Sequence, residues 1–126
     1  MRLRQAWLIA TLVALLWAPL SAAAQQTKRP QRIGILHSSF VPNTPPVAGL
    51  KAGLKAEGLE EGRDVTLDIR FTRGDPRATP TGAAALVKAG VELLFTADEE
   101  ASRVTKAATQ TIPIVFTGVG DPVAAG

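Results

Sequence analysis

Hydrophobic positions change period along this chain in a way that marks alternating strands and helices. Arg32–His37 (RIGILH) is a compact apolar run, the pattern of a buried central strand. Ser38–Pro46, with two serines, an asparagine and three prolines, is loop. From Val47 the period becomes helical: Val47, Leu50 and Leu54 fall at i, i+3 and i+7, Lys51, Lys55 and Glu57 take other faces, and Gly58 or Gly62 ends the helix. Asp64–Phe71 alternates cleanly, with Val65, Leu67, Ile69 and Phe71 on one face and Thr66, Asp68 and Arg70 on the other. That is a strand with one wet face, suited to a sheet edge. Thr79-Pro80 predicts the cap and first position of a second helix, with Ala83, Leu86 and Val87 as its buried stripe and Gly90 as its stop. Val91–Thr96 is the third strand. Ala97, Ala101, Val104 and Ala108 line a third helix with Arg103, Lys106 and Gln110 outward, and Ile112–Phe116 is the fourth strand. Gly49 and Gly53 lie inside the first helix at a cost of ~1 kcal/mol each relative to alanine, which a small-residue face packed closely on the sheet would explain.

The order β-α-β-α-β-α-β implies a parallel sheet with helices on both faces and right-handed crossovers. Placing the wet second strand at the edge gives the order 2-1-3-4, a flavodoxin-like three-layer α/β fold. The switch in strand order then lies between the first and third strands, where ligands bind at the carboxyl ends.

Residues 1–24 read as an address rather than structure. Arg2 and Arg4 precede the apolar run Ala6–Leu20, and Ala22-Ala23-Ala24 before Gln25 offers a small-x-small cleavage site. The run falls short of the ~20 residues that a membrane span needs, which favours a cleaved signal over an anchor. Residues 25–31 form a polar lead-in, and residues 32–126 are one small domain. Removing Arg2 and Arg4 lowers the basic side chains from 14 to 12 against 11 acids, so the net positive charge belongs largely to the leader. Little is left to attract nucleic acid.

The chain contains no cysteine. Disulfides, thiolate metal sites, a thiol nucleophile and a lipid anchor are therefore excluded. The expected mature product is free and soluble in an oxidising, exported compartment, periplasmic in a bacterium, with no stable membrane insertion.

The loops after the first, third and fourth strands carry the candidate ligand contacts: Ser38 and Ser39; Thr96, Ala97 and Asp98; Thr117, Gly118 and Asp121, with Gly120 between them. Hydroxyls and backbone N–H groups at helix N-termini suit a carboxylate or other anion. Each residue taken alone also reads as a helix cap or turn, and it is their convergence on one rim that gives the set meaning. His37, the single histidine, reads first as a structurally satisfied side chain and second as a ligand contact. One histidine cannot build a metal site. No serine lies in a nucleophile elbow, so neither catalytic residues nor a cofactor are expected. Asp98-Glu99-Glu100 opens a helix, where the helix dipole explains it.

Taken in order, RIGILHSS, GLKAGLKAEGLEEGRDVTLDIRFTRGD, ALVKAGVELLFT and ATQTIPIVFTGVGDPVAAG resemble the solute-binding proteins of bacterial ABC transporters. The branch is that of the tryptophan- and tyrosine-type binding proteins, and the match is most specific over Thr111–Val123. The resemblance implies one lobe of a two-lobed, periplasmic-binding type I fold that closes on a small solute and docks on an ABC permease. It places ligand contacts at Ser38, Ser39, Thr96, Ala97 and Asp121. The loop after the third strand is small and hydroxyl-rich in that family but acidic here, which disfavours an anionic headgroup if those side chains face the cleft. The family also continues into a second lobe, so the expectation is a truncated amino-terminal lobe. The competing reading is a stand-alone α/β interaction domain that pairs with itself or another chain.

Overall fold

All the expected strands and helices form, with several ends shifted, in a computed structural model that describes residues 29–124; the first helix starts at Pro45, inside the stretch expected as loop. The expected leader (1–24), residues 25–28 of the lead-in, and Ala125 and Gly126 lie outside the described residues. In chain order the elements are β1 (Gln31–His37), α1 (Pro45–Ala56), β2 (Val65–Phe71), α2 (Ala78–Lys88), β3 (Leu93–Thr96), α3 (Glu99–Ala108) and β4 (Ile114–Phe116). All pairings are parallel, in the order β2-β1-β3-β4. The alternating strand β2 takes the edge, as its wet face requires. Strand β1 begins one residue earlier than expected, because the Gln31 N–H donates to the Asp64 carbonyl at 2.9 Å.

The reversal of direction at β1 splits the core in two. Crossing from β1 out to β2 puts α1 on one face. Returning through β3 to β4 puts α2 and α3 on the other, as right-handed crossovers demand. Alternation sends Ile33, Ile35 and Phe95 towards α1, where Val47 is buried and Leu50 and Leu54 pack. Leu36 and Leu94 point the other way, into Ala83, Leu86, Val91, Ala101 and Val104. Val91 is thus a core residue although the third strand starts only at Leu93. The fourth strand is likewise shorter than expected, with Ile112 packed on the core ahead of it.

Two local expectations fail. Helix α2 starts at Ala78, so Thr79 is a buried residue inside the first turn rather than its cap. Asp75-Pro76 makes the turn earlier: Asp75 Oδ1 accepts the Arg77 N–H at 2.9 Å and its carbonyl accepts the Ala78 N–H at 3.1 Å. Nor do Gly49 and Gly53 face the sheet; a Cβ at either position would meet nothing within 4 Å. Close packing falls instead at Gly34 on β1 and Gly82 on α2, where a Cβ would lie 3.0 Å from a core leucine methyl. Alanine at Gly49 or Gly53 is therefore expected to stabilise the fold by about 0.4–1 kcal/mol each, read as a higher midpoint in urea with an unchanged slope.

Candidate functional site

The carboxyl ends of β1, β3 and β4 lie side by side because β3 pairs in parallel with both neighbours. Their loops are stitched together by specific bonds. Asp98 is the N-cap of α3, and its Oδ1 accepts the Ala101 N–H at 2.8 Å. Its Oδ2 accepts the Ser38 N–H at 2.7 Å, tying the β1 loop to the α3 terminus. The Ala97 N–H reaches the Leu36 carbonyl at 3.4 Å, and the Thr117 N–H the Thr96 carbonyl at 3.0 Å.

Gly118 completes the join. Its φ is +72°, and a Cβ there would stand 3.0 Å from the Ala97 carbonyl oxygen, so both conformation and space call for glycine. Asp121 Oδ1 accepts the Val123 and Ala124 N–H groups at 3.0 Å each, a cap on the turn that follows Pro122.

Ser38, Ser39, Ala97 and Asp98 are half-buried, and Thr117, Gly118 and Asp121 are exposed. Thr96 is fully buried, and its hydroxyl turns to Ser102 Oγ at 2.8 Å. Ser102 O–H in turn donates to the Asp98 carbonyl at 2.7 Å. Sequence reasoning missed Ser102; the signal was a hydroxyl four residues after Asp98, on the inner side of α3.

His37 is a satisfied core histidine. Its Nδ1 accepts the Ser39 N–H at 3.3 Å, which leaves Nε2–H to donate to the Pro42 carbonyl at 3.2 Å. Its ring stacks on Phe71 with centroids 6.1 Å apart. Two further side chains escaped the sequence reading: Phe40, 74% exposed in the β1 loop, and Arg73, whose guanidinium lies 5.7 Å from the Phe71 ring centre. The β2 loop braces the β1 loop, with the Gly74 N–H donating to the Ser38 carbonyl at 2.7 Å and the Arg73 N–H to the Ser39 carbonyl at 3.1 Å.

Two arginines outside these three loops are held more firmly protonated than usual. Hydrogen bonding to Asp68 raises Arg70, and hydrogen bonding to Asp64, with the Asp64 and Glu60 charges, raises Arg63. Next to the rim, Glu100 pairs with Arg103 at 2.8 Å while Glu99 is exposed.

Comparison with known proteins identifies the family of the chain. Residues 42–126 match the family model described as ABC transporter substrate binding protein. A tyrosine-binding protein of Clostridioides difficile is 28% identical over 78 residues, covering 62% of this chain and 23% of its own length. Among solved structures, a conserved domain protein from Vibrio cholerae superposes with a TM-score of 0.69 at 31% identity, covering 77% of this chain and 33% of the other. A substrate-binding protein with adhesive properties from Clostridium difficile, in its ligand-free, open form, gives a TM-score of 0.70 at 27% identity, covering 76% and 33%. An ABC domain in complex with L-Trp from Streptococcus pneumoniae gives 0.67 at 25% identity, covering 76% and 32%. The chain thus spans about a quarter of the curated relative and a third of the structural ones. The sheet order and these neighbours agree with one lobe of a periplasmic-binding type fold. The chain belongs to the ABC transporter substrate binding protein family.

Proposed function

We propose that this chain furnishes the first lobe of an exported solute receptor for an ABC importer, with a solute of the amino-acid class as its cargo. Ser38, Ser39, Ala97, Asp98, Thr117, Gly118 and Asp121 form one wall of the cleft, and Thr96 positions Asp98 through Ser102. A second lobe, of the kind the family resemblance implies, supplies the opposite wall, and an ABC permease receives the loaded protein. The role is binding rather than catalysis.

The observation that carries the reading is the joining of three loops at the switch point by Asp98 and Gly118. The relatives named for tyrosine and bound to L-Trp support a solute of the amino-acid class. The Arg-apolar-Ala pattern of residues 1–24 supports export, with cleavage after Ala24 and a periplasmic product without lipid.

The test uses the chain's own composition. Both tryptophans, Trp7 and Trp17, lie in the leader and there is no tyrosine, so L-tryptophan is the only indole in a solution of processed protein. Exported material with an intact mass beginning at Gln25 is expected to raise the fluorescence anisotropy of L-tryptophan saturably, and Asp121→Ala is expected to weaken that rise. Retention of Met1, or a flat anisotropy up to millimolar protein, would contradict export or binding respectively.

A second reading has its own observation. Strand β4 is an edge strand among the described residues, and its Val115 and Phe116 are 49% and 48% exposed. An uncovered apolar edge is a template for pairing with another chain. Light scattering that reports a stable dimer with no solute binding would favour this interaction-domain reading.

A further inference from the structure

We infer that His37 is a proton-operated latch on the β1 loop. The neutral ring ties Ser39 and Pro42 together; a second ring proton breaks the Ser39 bond, frees the loop and lowers the affinity of the wall for its solute. The effect on affinity rests on the proposed function, whereas the latch itself rests on how the loop is held. Ser38 is fixed twice, its N–H by Asp98 Oδ2 at 2.7 Å and its carbonyl by the Gly74 N–H at 2.7 Å. Beyond it the bonds thin out. The Arg73 N–H holds the Ser39 carbonyl at 3.1 Å, and the Val41 N–H reaches Ser39 Oγ at 3.4 Å. Among the described residues, the other hydrogen bonds of Ser39 to Asn43 both end on His37. Its Nδ1 accepts the Ser39 N–H at 3.3 Å and its Nε2–H donates to the Pro42 carbonyl at 3.2 Å. Phe40, Val41, Pro42 and Asn43 are exposed, so the imidazole is the buried group to which this stretch is tied.

This pair of bonds fits a neutral ring in one tautomer only: Nδ1 bare to accept, Nε2 protonated to donate. A second proton goes onto Nδ1 and points at the Ser39 N–H, donor against donor, in a side chain that is 2% exposed. Turning the ring over presents an N–H at both positions again, so the conflict ends only when Ser39 and the ring part. Among the described residues no carboxylate is hydrogen-bonded or ion-paired to the ring as an alternative partner. On the β2 side the ring stacks on Phe71, where the nearby charge is the Arg73 guanidinium, 5.7 Å from the Phe71 centre. Asp75, further along that loop, accepts the Arg77 N–H. Helix α1, which packs on this face of β1, has no acidic residue in its first turn. From the β3 loop comes Asp98, whose two oxygens hold the Ser38 and Ala101 N–H groups, and from the β4 loop Asp121, which holds those of Val123 and Ala124. Because Ser38 and Ser39 belong to the wall, a second proton on the ring and a solute on the wall oppose each other, and linkage makes that opposition mutual.

The experiment follows ring and loop together in a pH titration of the 15N-labelled chain, with and without L-tryptophan. The chain has one histidine, so its ring 15N shifts report tautomer and charge directly. The neutral ring is expected to be the Nε2–H tautomer. As the ring takes its second proton, the Ser39, Phe40, Val41 and Asn43 amides are expected to shift in step with it. Exchange protection at Ser39, corrected for the intrinsic pH dependence, should fall about tenfold, the scale of one bond lost by a half-buried donor. The Ala101 amide, held by Asp98, should not follow. Affinity for L-tryptophan is expected to fall about fivefold or more over the same step. In His37→Gln, which keeps an acceptor and a donor but takes no proton, it should change by less than about twofold. An Nδ1–H neutral tautomer, a ring that titrates without Ser39, or a ring that stays neutral until the whole protein unfolds would each overturn the latch. So would a His37→Gln chain as pH-dependent as the native one, and the native signals decide the matter even if that variant fails to fold. If no L-tryptophan binds while the ring is neutral, the receptor reading falls, and the Ser39 response alone still decides the latch.

Discussion

Alanine at Gly34 is expected to destabilise the protein by about 1–3 kcal/mol, with valine costing more, because the site has no room for a side chain. A Cβ there would lie 3.0 Å from Leu94 Cδ2, 3.1 Å from Leu86 Cδ2 and 3.2 Å from Val91 Cγ1. All three belong to the buried cluster beneath α2 and α3, so none can yield without displacing another. For a domain of this size each kcal/mol moves the melting temperature by roughly 4–8 °C. The same substitution at Gly49 or Gly53 is expected to act in the opposite direction. Urea unfolding of the three variants side by side makes the test, and a Gly34→Ala midpoint equal to that of the parent would show that the sheet and α2 are less closely packed than described.

Asp98→Ala is expected to cost about 2–4 kcal/mol, more than a lost cap alone. Removing an N-cap aspartate typically costs ~1 kcal/mol. Here the same deletion also strands the Ser38 N–H, which is bonded to Oδ2 in a half-buried loop, and an unmet donor adds ~1–3 kcal/mol. Both effects pass through one side chain, so they need not add in full. Amide hydrogen exchange separates them. Protection should fall at Ser38 as well as at Ala101, and a loss confined to Ala101 would reduce Asp98 to an ordinary helix cap.

Most of the fold was legible because periodicity is set by which faces must be buried. The clean alternation of Asp64–Phe71 sufficed to put β2 at the edge, and that placement fixed the order β2-β1-β3-β4. What the pattern could not carry was spacing between layers. Gly49, Gly53, Gly34 and Gly82 look alike as letters, yet only the last two sit where a leucine methyl approaches. The start of α2 was misplaced because Thr79-Pro80 fits a cap, while the Asp75-Pro76 turn acts four residues upstream. The rim residues could be gathered from topology, since loops after parallel neighbours share an end. Their bonding could not. Neither the second bond of Asp98, to an amide sixty positions away, nor the burial of Thr96 against Ser102 is written in local sequence.

The central claim is that the carboxyl end of this sheet is a wall of a solute cleft. Its most direct test is a map of backbone amide shifts on addition of L-tryptophan to the 15N-labelled chain. The account expects saturable shifts confined to Ser38, Ser39, Ala97, Asp98, Thr117, Gly118 and Asp121. Shifts centred instead on the groove between β2 and α2, around Arg70, Thr72 and Arg77, or no shifts at millimolar L-tryptophan, would contradict it.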